Sequence, residues 1–128
     1  MTAHLIYLHV TWSTISRRPM IDEATRKFLD QYFRKIAVRE RAEIVEMALP
    51  VDHVHLLLRC EARFDLPHLV QLLKGGSSYL ASRQPDNVVG LRWNREYSLT
   101  SVSPGVLPRA IAYIRRQAAR DRDPIGTR

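Results

Sequence analysis

The chain predicts an α+β fold, in which four strands and three helices follow one another as strand, helix, strand, strand, helix, strand, helix. Strict alternation of apolar and polar positions marks Leu5–Ser13 as a strand. Apolar stripes at helical spacing follow Asp22 and Asp65. A tight Leu49-Pro50-Val51-Asp52 link joins two strand-like runs. Together these give the split βαβ, ferredoxin-like antiparallel sheet with one helix added at the C-terminus. In that topology the first and third strands are central neighbours. One sheet face carries the two internal helices, and the other is left for a ligand or for the added helix.

Taken in order, Leu5–Ser13 places Leu5, Tyr7, His9 and Thr11 on one side and Ile6, Leu8, Val10 and Trp12 on the other, a strand expected to be largely buried on both faces. Ser16-Arg17-Arg18-Pro19 is a basic loop. Asp22 can cap a helix running to about Arg39, with Phe28, Leu29, Tyr32, Phe33 and Ile36 on its core stripe. Glu43–Leu49 and His53–Arg59 are the hairpin strands, which puts the histidines near a strand end. Asp65 begins the second helix, with Pro67 in its first turn and Leu66, Leu69, Val70, Leu73 and Leu80 facing inward. Lys74-Gly75-Gly76-Ser77-Ser78 interrupts that stripe, and two glycines cost a helix roughly 2 kcal/mol relative to alanine. Either the helix bends there or a backbone approaches closely, and a solvated bend is the expected outcome. Gln84–Gly90 is a polar loop, Tyr97–Val102 a fourth strand, Val106–Arg120 the last helix, and Arg120–Arg128 a frayed end.

At 128 residues the chain is expected to form one domain, residues 1–128. No apolar run is long enough for a membrane span, and the start lacks a signal-peptide layout. A single cysteine, Cys60, fits a cytoplasmic setting. The formal net charge of +7 is carried mostly by arginine, whose planar fork suits phosphate oxygens. That balance favours a polyanionic partner, with a merely basic soluble protein as the alternative.

The chemistry concentrates in Asp52-His53-Val54-His55-Leu56-Leu57. In an extended strand His53 and His55 share one face, where two neutral imidazoles can grip one divalent ion. Such a pair can equally be incidental, and a third ligand must come from elsewhere. His9 can look toward the pair if its strand is the neighbour. On the last helix Tyr113 and Gln117 lie four apart on one face, beside an apolar stripe of Leu107, Ile111, Ile114 and Ala118. Taken alone they read as an aromatic and a surface amide.

These pieces, in order, resemble the single-tyrosine transposases of the HUH endonuclease superfamily. Leu8-His9-Val10-Thr11-Trp12 with Arg17-Arg18-Pro19 is similar to that family's opening strand and basic loop. Asp52-His53-Val54-His55-Leu56-Leu57-Leu58 resembles its metal motif, and Leu72-Leu73-Lys74-Gly75-Gly76-Ser77-Ser78 its Lys-Gly-Ser helix. Trp93 through Tyr97 to Ser101-Val102-Ser103, and Tyr113-Ile114-Arg115-Arg116-Gln117, resemble its aromatic segment and nucleophile helix. The family's basic triplet near Ser13-Thr14-Ile15-Ser16 is missing.

The resemblance implies that His53, His55 and Gln117 hold Mg²⁺ or Mn²⁺ against a scissile phosphate, and that Tyr113 attacks phosphorus to leave a 5′-phosphotyrosine link. It implies single-stranded DNA with hairpins as substrate and a homodimer as the working form, in which the nucleophile helix can serve the partner's metal motif in trans. Arg17, Arg18, Lys74, Arg115 and Arg116 are the expected DNA contacts, with bases stacking on Trp12, Trp93 or Tyr97 unless these fill the core. A host-adopted relative of the REP-associated tyrosine transposases, processing or binding hairpins, is the alternative within the family. A non-catalytic ferredoxin-like module for single-stranded nucleic acid is the alternative outside it.

Overall fold

The computed structural model describes residues 5–85 and 90–121. One antiparallel sheet is built from β1 (Leu5–Ser13), β2 (Ala42–Ala48), β3 (His53–Glu61) and β4 (Ser98–Val102), in the spatial order β2-β3-β1-β4. Its helices are α1 (Glu23–Arg39), α2 (Leu66–Ala81) and α3 (Leu107–Asp121). β1 and β3 are central neighbours, as the element order requires. Register pairs Thr11 with His55 and His9 with Leu57. The expected loop at 86–89 and the tail beyond 121 lie outside the described residues.

Local chemistry sets the helix starts. The Thr25 backbone N–H donates to the Asp22 carboxylate at 2.8 Å, and that of His68 to Asp65 at 3.1 Å, each satisfying a donor the helix cannot. The sheet's two faces then part company. Leu8, Val10, Trp12, Val54, Leu56 and Leu58 point toward α1 and α2, where they form the main core with Leu29, Phe33, Leu69 and Leu73. On the opposite face Leu57 meets Ala48 and Ile114, and α3 lies over them through Leu107, Ile111 and Ala118. Burying Ile114 fully contributes about 1.5–3 kcal/mol and fixes which side of α3 faces the sheet.

Three expectations need correction. β1 is not buried on both faces: Leu5 and Ile6 are exposed, and His9 and Thr11 are half-buried beside α3. α2 does not bend at Gly75-Gly76 but runs unbroken from Leu66 to Ala81. A Cβ at Gly76 would stand 1.7 Å from the Tyr32 hydroxyl oxygen, so this glycine is the notch through which α1 approaches α2. Leu80 is largely exposed, and Ala81 takes the inward place assigned to it.

Candidate active site

His53 is the first residue of β3, and the turn before it supplies its orienting group. The His53 Nδ1–H donates to the Asp52 carboxylate at 2.7 Å, which leaves the Nε2 lone pair facing away from the turn. His55 follows on the same face, 5% exposed, with its Nε2 3.0 Å from that of His53 and its Nδ1 3.0 Å from Nε2 of His9. Burial first, then the neighbouring His53, His9 and Arg17, pushes the His55 pKa down to about 3, so the ring is neutral at physiological pH. Burial likewise lowers His9.

The loop after β1 curls back onto this pair. Ser16 and Arg17 both sit in the left-handed region, each at φ 51°, a conformation non-glycine residues adopt at some cost. The buried Thr14 hydroxyl holds the curl, 2.6 Å from the Arg18 carbonyl oxygen and 3.1 Å from that of Asp52. The result aims the Arg17 guanidinium at the turn, 3.5 Å from the Asp52 carboxylate and 3.5 Å from His53 Nδ1.

From the other side α3 brings Tyr113. Its ring stands edge-on to His55 at 5.8 Å and to His9 at 6.0 Å between centroids, with 42% of the residue exposed. One cleft of about 710 Å³ is bordered by His53, His55, Tyr113 and Gln117. Arg17, Asn94, Arg95, Glu96 and Tyr97 also line it. The four residues expected to do chemistry therefore meet within one chain.

The expected DNA contacts divide. Arg17 lines the cleft, and the Arg116 guanidinium lies 6.0 Å from the centre of the Tyr113 ring. Arg18 is exposed outside the cleft. Arg115 donates from Nε to Glu46 on β2 at 3.2 Å. Lys74 Nζ donates to the backbone carbonyls of Arg95 at 3.0 Å and Glu96 at 3.4 Å, tying down the cleft wall. Trp12 is a core residue, 3% exposed, and offers no stacking surface; Trp93 is half-buried against the core, with its Nε1–H donating to Ser77. Tyr97, like Trp93, packs against the core, and it also lines the cleft. Asn94 was not singled out by the sequence. Its amide donates to the Ser13 hydroxyl at 2.7 Å and joins the segment before β4 to the end of β1.

Among the described residues no group of three or more His, Cys, Asp and Glu side chains is arranged to hold a metal ion. Two imidazoles nevertheless fit one. At a metal–nitrogen distance of about 2.1 Å, nitrogens 3.0 Å apart subtend about 90° at the ion, the angle between adjacent ligands of an octahedron. Two imidazoles, with the Gln117 amide bordering the same cleft, make a softer set than Mg²⁺ usually takes. Among the described residues no helix is long and apolar enough to cross a membrane.

Comparison with known proteins identifies the family. The family model described as IS200-like transposase matches residues 2–117. The ISDra2 transposase TnpA of Deinococcus radiodurans is 29% identical over 114 residues, spanning 85% of this chain and 81% of the relative. The crystal structure of a protein described as a transposase from Deinococcus radiodurans R1 superposes with a TM-score of 0.68 at 27% identity, covering 91% of this chain and 93% of that one. A REP-associated tyrosine transposase bound to a REP hairpin shares the fold, with a TM-score of 0.72 at 12% identity over 94% of this chain and 71% of that one. With its family model matched from residue 2 to residue 117, the chain belongs to the IS200-like transposases.

Proposed function

We propose that this transposase cleaves and rejoins single-stranded DNA through a 5′-phosphotyrosine intermediate formed on Tyr113. The observation that carries the reading is the edge-on approach of Tyr113 to His55 within one chain, in a cleft shared with His53 and Gln117. A phenol close to a paired imidazole grip is what in-line attack on a held phosphate needs.

In this mechanism His53, His55 and Gln117 would hold one Mg²⁺ or Mn²⁺, which supplies Lewis-acid polarisation of a phosphate oxygen. Tyr113 Oη bonds to phosphorus as the bond from phosphorus to the 3′ oxygen breaks. The phenolic proton leaves to solvent and the 3′ oxygen is protonated, so a free 3′-OH departs. Attack of a 3′-OH on the phosphotyrosine reverses these changes and joins a strand with no outside energy source. Arg17 contributes a guanidinium at the mouth of the grip, where it can meet phosphate oxygens. Arg116, whose guanidinium lies 6.0 Å from the centre of the Tyr113 ring, is placed to meet the phosphate that Tyr113 attacks.

The substrate we assign is single-stranded DNA with a hairpin near each element end, acted on by a homodimer. One relative sharing the fold is itself bound to a REP hairpin, which supports carrying a hairpin substrate to this chain. The test is incubation with Mn²⁺ and hairpin-bearing single-stranded DNA, read as a covalent adduct on a denaturing gel. Adduct from the wild type and none from Tyr113→Phe supports the assignment. Equal adduct from Tyr113→Phe removes Tyr113 from the role.

A further inference from the structure

We propose that His9 is a positioning residue for the imidazole grip, fixing the tautomer in which His55 offers its Nε2. The inference rests on the metal reading above and adds to it the group that makes His55 a competent ligand. For both Nε2 atoms to bind one ion, each ring must carry its proton on Nδ1. His53 meets that condition through Asp52, which as a carboxylate can only accept. Among the described residues no carboxylate reaches His55; its Nδ1 faces His9 Nε2 at 3.0 Å.

That contact settles the proton arrangement of a ligated His55. His55 donates from Nδ1, His9 accepts at Nε2, and the His9 proton then lies on Nδ1. A side chain that accepts at this place is needed, because an imidazole with no partner for its second nitrogen loses both orientation and basicity as a ligand. β1 provides it by register: Thr11 is opposite His55, so His9 is the diagonal neighbour on the same sheet face.

The experiment compares wild type, His9→Leu and His9→Gln in Mn²⁺ titrations followed by electron paramagnetic resonance of the free ion. Glutamine carries its carbonyl oxygen at the same remove from the backbone as histidine Nε2, and can accept from His55 Nδ1–H. Loss of a partner at this position weakens metal binding by about 10- to 100-fold. That loss is expected in His9→Leu, with most of the affinity recovered in His9→Gln. Nitrogen–proton correlation spectra of the unmodified protein with Zn²⁺, a diamagnetic stand-in, should place the His55 proton on Nδ1 and that of His9 also on Nδ1.

Wild-type affinity in His9→Leu, a folded His9→Gln as weak as His9→Leu, or a His9 proton on Nε2 in the Zn²⁺ complex each overturns the assignment. A wild type that binds no Mn²⁺ overturns the metal reading itself, and this assignment with it. That outcome is distinct from one in which the wild type binds and the variants do not differ.

Discussion

The ring of Tyr113 stands edge-on to that of His55, 5.8 Å between centroids, with both residues in the same chain. α3 reaches the grip by folding back over its own sheet, held by Ile114 against Leu57 and Ala48. Under the proposed mechanism, this contact predicts a site completed within one chain.

Mixing two inactive variants checks this. Tyr113→Phe keeps the grip and lacks the nucleophile; His55→Ala keeps the nucleophile and lacks the grip. With sites built within one chain, every site in a mixed dimer is missing a group, and the mixture forms no more adduct than either variant alone. If α3 instead served the partner, one site per mixed dimer would be intact and adduct would return. Tyr113→Phe itself should change unfolding free energy by no more than about 0.5 kcal/mol, because the residue is 42% exposed.

The adjacent glycines of α2 should respond in opposite senses. Nothing lies within 4 Å of a Cβ built at Gly75, so Gly75→Ala gains helix propensity and should stabilise by about 0.5–1 kcal/mol. At Gly76 the same atom meets the Tyr32 hydroxyl, and Tyr32 is stacked on Phe28 and packed against the core. Gly76→Ala should therefore destabilise by about 1–3 kcal/mol. Urea unfolding of the single variants, and of Gly76→Ala with Tyr32→Leu, reads the coupling; the second change should recover part of the loss.

Those glycines also mark where the sequence stopped being legible. Among the described residues, period-two and period-3.6 patterns located β1, β3 and the three α-helices, because burial on one face is written into the residue order itself. The cap residues Asp22 and Asp65 were legible for the same local reason. Close approach of α1 at Gly76 was not, since it depends on Tyr32, far away in sequence. The site divides in the same way. His53 and His55 share a face by strand geometry alone, whereas the contact of His9 with His55 needed the register of β1 on β3. Trp12 offered a base-stacking surface in one dimension and is a core residue in three, because its strand alternates toward α1 and α2.

The low His55 pKa carries a consequence for acid stability. An ordinary histidine titrates near 6.5, and in the folded chain His55 is held at about 3. Between these values the unfolded chain binds a proton that the folded chain does not, so unfolding takes up a proton and acid favours it. The contribution is fully present above about pH 6.5 and is lost as pH falls toward about 3, by at most about 1.4 kcal/mol per pH unit for one proton. Urea unfolding in chelator should show wild-type stability falling from about pH 6.5 to about pH 5, above most carboxylate titration. The slope should be smaller in His55→Gln. Equal slopes would assign the acid sensitivity to other groups.

Lys74 separates a positioning role from a phosphate contact. Its ammonium donates to the Arg95 and Glu96 carbonyls, and burial lowers its pKa. Those two residues belong to the cleft wall facing Tyr113. A lysine on a phosphate and a lysine on the wall behave differently in salt. Removing a phosphate contact lowers the dependence of DNA affinity on salt by about one charge, whereas removing a structural lysine leaves that slope unchanged. Lys74→Met should speed amide exchange across residues 94–97, weaken oligonucleotide binding and slow adduct formation, with the salt slope as in wild type. A slope reduced by about one charge, with exchange at 94–97 unaltered, would return Lys74 to the phosphate-binding set that the sequence had assigned it.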